Sequence, residues 1–319
     1  MIARRTWLVA LLVAAVGCGG GGGGAGGNAP LAEPDGSFAV GTTNLVFVDT
    51  SRPTAGNNGV PAKESRTLRT GVYYPASGLG GVGAPGLAGH RFPLIVFAHG
   101  FMALGRLYGT ILQAWAAAGY VVAAPDFPLS SATAEGGPNA SDVVNQPADE
   151  RFIIDQMLAL NDDPSSLLHG LIDAEHIGAS GQSLGGMTTF GLAFNTCCHE
   201  PRIDAAVPMA GALIPDFDGE YDPDIGPPVL IIHGDQDERV DYEEAIKAYD
   251  LLSPPKLLLT HVGGMHVPPY VGAPSVPALA ATIDSSTAFF DLYLKNERGA
   301  RERLLDVGMR EKVVLEYDL

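Results

Sequence analysis

Apolar runs of strand length alternate along this chain with stretches of helical periodicity, and that alternation limits the possible folds more than any other feature. Residues 92–98, Phe-Pro-Leu-Ile-Val-Phe-Ala, form a continuous apolar run of the kind found in strands buried on both faces. A helix is expected over 107–118, a strand over 120–124, a helix over about 149–160 and a short strand around Ile177. Residues 184–194 then read as helix, 203–209 and 229–232 as strands, 243–252 as helix, 256–261 as strand and 282–294 as helix. Such a pattern implies an α/β class with a mostly parallel central sheet and helices on both faces. Ahead of it, 44–49 and 69–74 are rich in β-branched and aromatic residues and suit an antiparallel opening hairpin, followed by a Gly-rich loop over 77–89.

A chain of 319 residues, 46% hydrophobic and 17% charged, can bury one large core. The sequence therefore divides into a short leader and a single domain. Arg4 and Arg5 precede an apolar run from Trp7 to Val16, which reads as an export signal over residues 1–18. That run is too short to cross a hydrocarbon core, which needs roughly 20 residues. Its end, Ala15-Val16-Gly17-Cys18, resembles a bacterial lipobox, so Cys18 is expected to be lipidated and residues 19–40 to serve as a Gly-rich tether. The domain proper is expected over 41–319. An exported bacterial lipoprotein, periplasmic or cell-surface, monomeric and touching the membrane through that anchor only, is the corresponding localisation, with secretion after plain cleavage as the alternative.

Without Arg4 and Arg5 the basic count falls from 19 to 17 against 36 acidic residues, a formal charge of −19. Nucleic-acid binding needs a basic footprint, so no nucleic-acid partner is expected. Besides Cys18 the chain has Cys197 and Cys198, which as neighbours cannot staple distant segments; a vicinal disulfide and a pair of free thiols both remain open. Cys197-Cys198-His199-Glu200 lacks the spacing of a zinc site, and no metal is expected.

Chemistry is signalled first by Gly181-Gln182-Ser183-Leu184-Gly185. In a chain with 41 glycines, Gly-x-Ser-x-Gly arises by accident about one time in four, so context must decide. The context is an apolar strand before Ser183 and an amphipathic helix after it. A sharp strand-to-helix turn forces the serine backbone into strain and leaves its hydroxyl exposed, while the helix start offers N–H groups to developing negative charge.

Serine is a weak nucleophile unless a histidine, oriented by a carboxylate, removes its proton. The strand over 229–232 leads into His233-Gly234-Asp235-Gln236-Asp237, where Asp237 is the expected acid and Asp235 its competitor, the latter better suited to shaping the turn. The strand over 256–261 leads into Gly263-Gly264-Met265-His266, placing His266 in a loop beyond the strand as the expected base. His261 lies within the strand and reads as a packed or surface histidine; His90, His169, His176 and His199 read as surface or capping residues. The backbone N–H groups of Phe101, in the His99-Gly100-Phe101 turn, and of Leu184 are the expected oxyanion donors. His99 reads as fixing that turn.

Residues 93–101, with Leu107-Tyr108 and 118–124, resemble platelet-activating-factor acetylhydrolases and chlorophyllases; Gly234 to Asp237 and Gly264 to Pro268 are similar to bacterial cutinases and polyester hydrolases. These segments span most of residues 90–270. The resemblance implies the α/β-hydrolase fold and a serine carboxylic-ester hydrolase acting on a lipid, polyester or smaller ester through Ser183, Asp237 and His266, without a cofactor. Polyester hydrolases often carry histidine and methionine where this chain has Gln182 and Leu184. Loops over 129–146 and 211–227 are expected to wall the cleft; the second alternates Asp216, Asp218, Glu220, Asp222 and Asp224, lacks the EF-hand spacing, and reads as a solvated loop, with a calcium site as the alternative. The competing readings are an acyltransferase or peptidase on the same triad and an inactive surface binding protein on the same fold.

Overall fold

In the computed structural model, which describes residues 37–319, the alternation becomes a ten-stranded sheet. Strands β1 (Val40–Asp49) and β2 (Arg66–Pro75) pair antiparallel, and the two-residue β3 (Gly81–Val82) caps that edge. The chain continues through β4 (Phe92–Ala98), α1 (Gly109–Ala117), β5 (Val121–Asp126), α2 (Gln146–Asp162), β6 (Ile172–Gln182), α3 (Leu184–Phe194) and β7 (Ile203–Met209). Next come β8 (Val229–Gly234), α4 (Tyr242–Leu251), β9 (Lys256–His261), α5 (Pro277–Leu294), α6 (Ala300–Val307) and β10 (Val313–Asp318). Spatial order is β10-β9-β8-β7-β6-β4-β5-β2-β1-β3, with β5, β4, β6, β7, β8 and β9 mutually parallel.

The continuous apolar runs are explained by the two-residue period of a strand. In β4, Ile95 and Phe97 join Ile111, Leu112 and Trp115 of α1 and Phe289 and Phe290 of α5 on one face. Leu94, Val96 and Ala98 point the other way, toward Ile153, Ile154 and Met157 of α2 and Leu192 of α3. Phe190 and Phe194 of α3, with Ala245 and Ala248 of α4, cover Val229 and Ile231 of β8. Phe290 is fully buried, and truncating it to alanine would cost about 3 to 5 kcal/mol by the usual range for core aromatics.

Three elements were not anticipated, the first being β3, which lies within the expected Gly-rich loop over 77–89. Helix α6 and strand β10 lie beyond the last expected helix, and β10 closes the sheet antiparallel to β9. Its buried face is narrow: Val313 and Leu315 pack inward while Val314 and Tyr317 stay exposed, which leaves a weak periodic signal. At the other end, packing starts inside the stretch read as tether, because Phe38 sits edge-on to Phe92 and its N–H donates to Ala117 O. The export signal, Cys18 and most of the tether lie outside the described residues. All described residues belong to one compact unit.

Candidate active site

Ser183 occupies the turn between β6 and α3 with φ 58° and ψ −119°, a region costly for any residue with a side chain. Its N–H donates to Met209 O at 2.9 Å, and its C=O accepts from Met187 N–H at 3.0 Å, so the strained residue is held from both sides. The turn is tight enough to exclude a side chain at position 185: a Cβ on Gly185 would collide with Ala98 O and lie 2.9 Å from His99 O.

His266 brings Nε2 to 2.9 Å from Ser183 Oγ, and its Nδ1 lies 2.7 Å from Asp237 Oδ2. A carboxylate can only accept, which assigns the proton to Nδ1 and leaves the Nε2 lone pair facing the serine hydroxyl. Asp237 stands in the turn after β8. Its Oδ1 accepts from the Arg239 and Val240 N–H groups, both at 2.9 Å, and its Oδ2 lies 3.3 Å from His233 Nε2. Burial alone would raise this carboxyl; hydrogen bonds from His233, His266 and the two backbone amides overcome it and hold Asp237 well below the usual carboxylate range.

The competitor Asp235 is directed elsewhere. It accepts from Gly263 N–H at 2.6 Å and ties the acid turn to the histidine loop. That brace is reinforced by Gln236 N–H donating to Gly264 O at 3.0 Å. His261 is buried in β9, bonds Thr282 Oγ1 at 2.9 Å, and is lowered to about 4 by burial. His233, not singled out by sequence reasoning, is fully buried and also bonds Val240 O at 3.0 Å; its position immediately before the acid turn was the available signal.

The Phe101 amide belongs to the turn after β4, where Met102 adopts a left-handed φ of 61° and donates its N–H to Ser130 O. Leu184 is the first residue of α3, so its N–H has no intrahelical acceptor. Among the described residues neither amide is given a protein acceptor, which leaves both available to a substrate oxygen. His99 fixes the turn: Nδ1–H donates to Gly100 O at 2.8 Å and Nε2 accepts from Phe127 N–H at 3.0 Å. Burial lowers it to about 4 and keeps it neutral.

The loops over 129–146 and 211–227 meet above Leu184, where Val143 and Phe217 pack on its side chain with Met187, Ile214, Tyr221 and Cys198 against them. The first loop is anchored from below by Arg66, which is fully buried and donates to both oxygens of Asp142 (3.1 and 2.9 Å) and of Asp149 (2.7 and 2.6 Å). Cys197 and Cys198 are joined to each other in a disulfide, one of the two states left open. Among the described residues no group of three or more His, Cys, Asp or Glu side chains is arranged to hold a metal ion, the acidic loop included.

The chlorophyllase family model matches residues 74–213, a span from the end of β2 through the elbow to just beyond β7. No curated protein matches the chain. Among solved structures, a ferulic acid esterase from Streptomyces cinnamoneus superposes with a TM-score of 0.63 at 23% identity, covering 85% of this chain and 93% of that one. Helices on both faces of a mainly parallel sheet, a serine elbow after β6 and these two matches together establish a relationship to the α/β-hydrolase superfamily.

Proposed function

We propose that the protein is a serine carboxylic-ester hydrolase. The observation that carries this reading is the relay from Ser183 Oγ to His266 Nε2 at 2.9 Å and from His266 Nδ1 to Asp237 Oδ2 at 2.7 Å, mounted on a strained turn. At the coarser level, the chlorophyllase match and the ferulic acid esterase neighbour support an esterase-type hydrolase.

In this reading Ser183 Oγ attacks the ester carbonyl as His266 Nε2 takes its proton. Asp237 keeps the imidazole in the required tautomer and stabilises the imidazolium. The carbonyl oxygen, now negative, is held by the Phe101 and Leu184 N–H groups; one such donor is worth about 2.7 to 4 kcal/mol in the transition state. His266 then passes its proton to the departing alcohol oxygen, leaving an acyl-serine that a water molecule, deprotonated by the same imidazole, hydrolyses. Phe101 and Met102 on one side, and Met265 and Val267 flanking His266, are exposed apolar side chains that favour an apolar acyl or aryl group over a charged one.

Ser183→Ala is expected to lower p-nitrophenyl butyrate hydrolysis by roughly 10³- to 10⁶-fold and to abolish labelling by a fluorophosphonate. Near-normal turnover by that variant would refute the assignment. Methyl ferulate, graded acyl esters and a polyester film, assayed side by side, define the substrate class, and an amide substrate tests for peptide cleavage. We further propose export and anchoring through Cys18; Cys18→Ala should release the protein from the membrane fraction, and an unchanged distribution would contradict it.

A further inference from the structure

Gln182, which stands where polyester hydrolases often carry histidine, is buried next to the nucleophile at 4% exposure. Its Nε2 donates to His266 O at 3.0 Å, and its Oε1 accepts from Tyr108 OH at 2.8 Å. The Tyr108 hydroxyl in turn accepts from Gly100 N–H at 3.2 Å. The direction of this chain is forced. The His266 carbonyl can only accept, so the amide NH₂ must face it; the amide oxygen then faces the phenol and takes its proton, while the phenol oxygen accepts from Gly100 N–H. Tyr108 is 3% exposed and burial pushes it up to about 12, so the hydroxyl stays protonated and can serve both partners. The fit is close: a Cβ on Gly100 would lie 2.8 Å from Gln182 Oε1 and 3.0 Å from Tyr108 OH.

We propose that Tyr108 and Gln182 form a hydrogen-bonded strap that sets the spacing between the Gly100-Phe101 turn and the loop carrying His266, both acting as positioning residues. This rests on the hydrolase reading above. The strap matters most after acylation. Once Ser183 Oγ is esterified it has no proton to donate, and its bond to His266 Nε2 is lost while the imidazole must still activate water. The bond from Gln182 to the His266 carbonyl is independent of Oγ and persists, as does the link to the turn that holds the oxyanion.

The test is burst kinetics with p-nitrophenyl acetate on Tyr108→Phe, Gln182→Met and the double variant, with the low-field proton resonance of His266 Nδ1–H recorded alongside. Tyr108→Phe keeps the ring packed on Phe97, 4.8 Å between centroids, so the core is retained even if Gln182→Met disturbs it. Deacylation is expected to fall roughly ten- to a hundredfold, with a smaller change in the burst rate and with the double variant no slower than the worse single one. The His266 resonance should shift or broaden in both single variants. Deacylation rates equal to wild type, or independent additive losses, would overturn the strap. If wild-type protein gives neither burst nor fluorophosphonate label, the hydrolase reading fails, and the strap is then judged by the resonance alone: altered supports it, unchanged overturns it.

Discussion

Asp237 and Glu150 are both buried carboxyl groups, one in the turn after β8 and the other in the first half of α2, yet they are held in opposite states. Asp237 accepts from two backbone amides and from His266, with His233 close to the same oxygen, and is driven well below the usual carboxylate range. Both oxygens of Glu150 lack a partner among the described residues; burial first, and the neighbouring charge of Asp149 second, push it well above its ordinary value. Burial penalises the charge in both places, and the supply of donors decides the outcome. Asp237, whose negative charge the proposed reaction requires, is given donors from two loops, whereas Glu150 is given none among the described residues and burial favours its protonated form.

The largest effect expected from breaking this contrast is on turnover. Asp237→Asn keeps the shape but reverses the donor sense at His266 Nδ1, which places the histidine proton on Nε2 and removes the base; kcat for p-nitrophenyl butyrate should fall about 10⁴-fold. A loss under tenfold would show that another group orients His266. Next in size is the loss of donors around α2. Arg66 supplies Asp142 and Asp149 much as the amides supply Asp237, and pairing with these two carboxylates raises its own pKa although burial opposes the charge. Arg66→Met would leave two buried carboxylates without their main donor and cost about 3 to 5 kcal/mol in urea unfolding. An unchanged midpoint would mean that Arg52, 2.7 Å from Asp149, suffices alone.

What could be read from the sequence divides along the same line. Ser183, Asp237 and His266 each follow a buried strand, and strand ends are announced by apolar runs and glycine; hence the three were named before their mutual distances were known. The turn at Phe101 was legible for the same reason. The Arg66 pairs join positions 76 and 83 residues apart, and the bond from Tyr108 to Gln182 spans 74. Nothing in local periodicity encodes which distant carboxylate meets a given arginine, or which phenol reaches a given amide. His233 was hidden in another way: it lies inside an apolar strand, where a histidine reads as packing, and its closeness to Asp237 depends on how the following turn folds back. Strand β10 escaped because only alternate residues of a short edge strand face the core.

The smallest effect concerns Glu150 and has a defined sign. Its folded-state pKa lies above the 4.5 of a free glutamate, so the folded protein binds this proton more tightly than the unfolded chain does. The stabilisation is fully present below pH 4.5 and is lost as pH rises toward the folded value, by about 1.4 kcal/mol per pH unit within that window. Asp237 acts in the reverse direction: its contribution is present above 3.8 and fades as pH falls through its lowered value. Glu150→Gln replaces the protonated acid by a neutral isostere that cannot ionise and should remove only the alkaline loss. Urea midpoints of wild type and Glu150→Gln, measured from pH 5 upward, should therefore diverge in favour of the variant. Parallel curves would show that the carboxylate is ionised in the folded protein and finds a donor there, in which case Glu150 belongs with Asp237 and the contrast between the two sites dissolves.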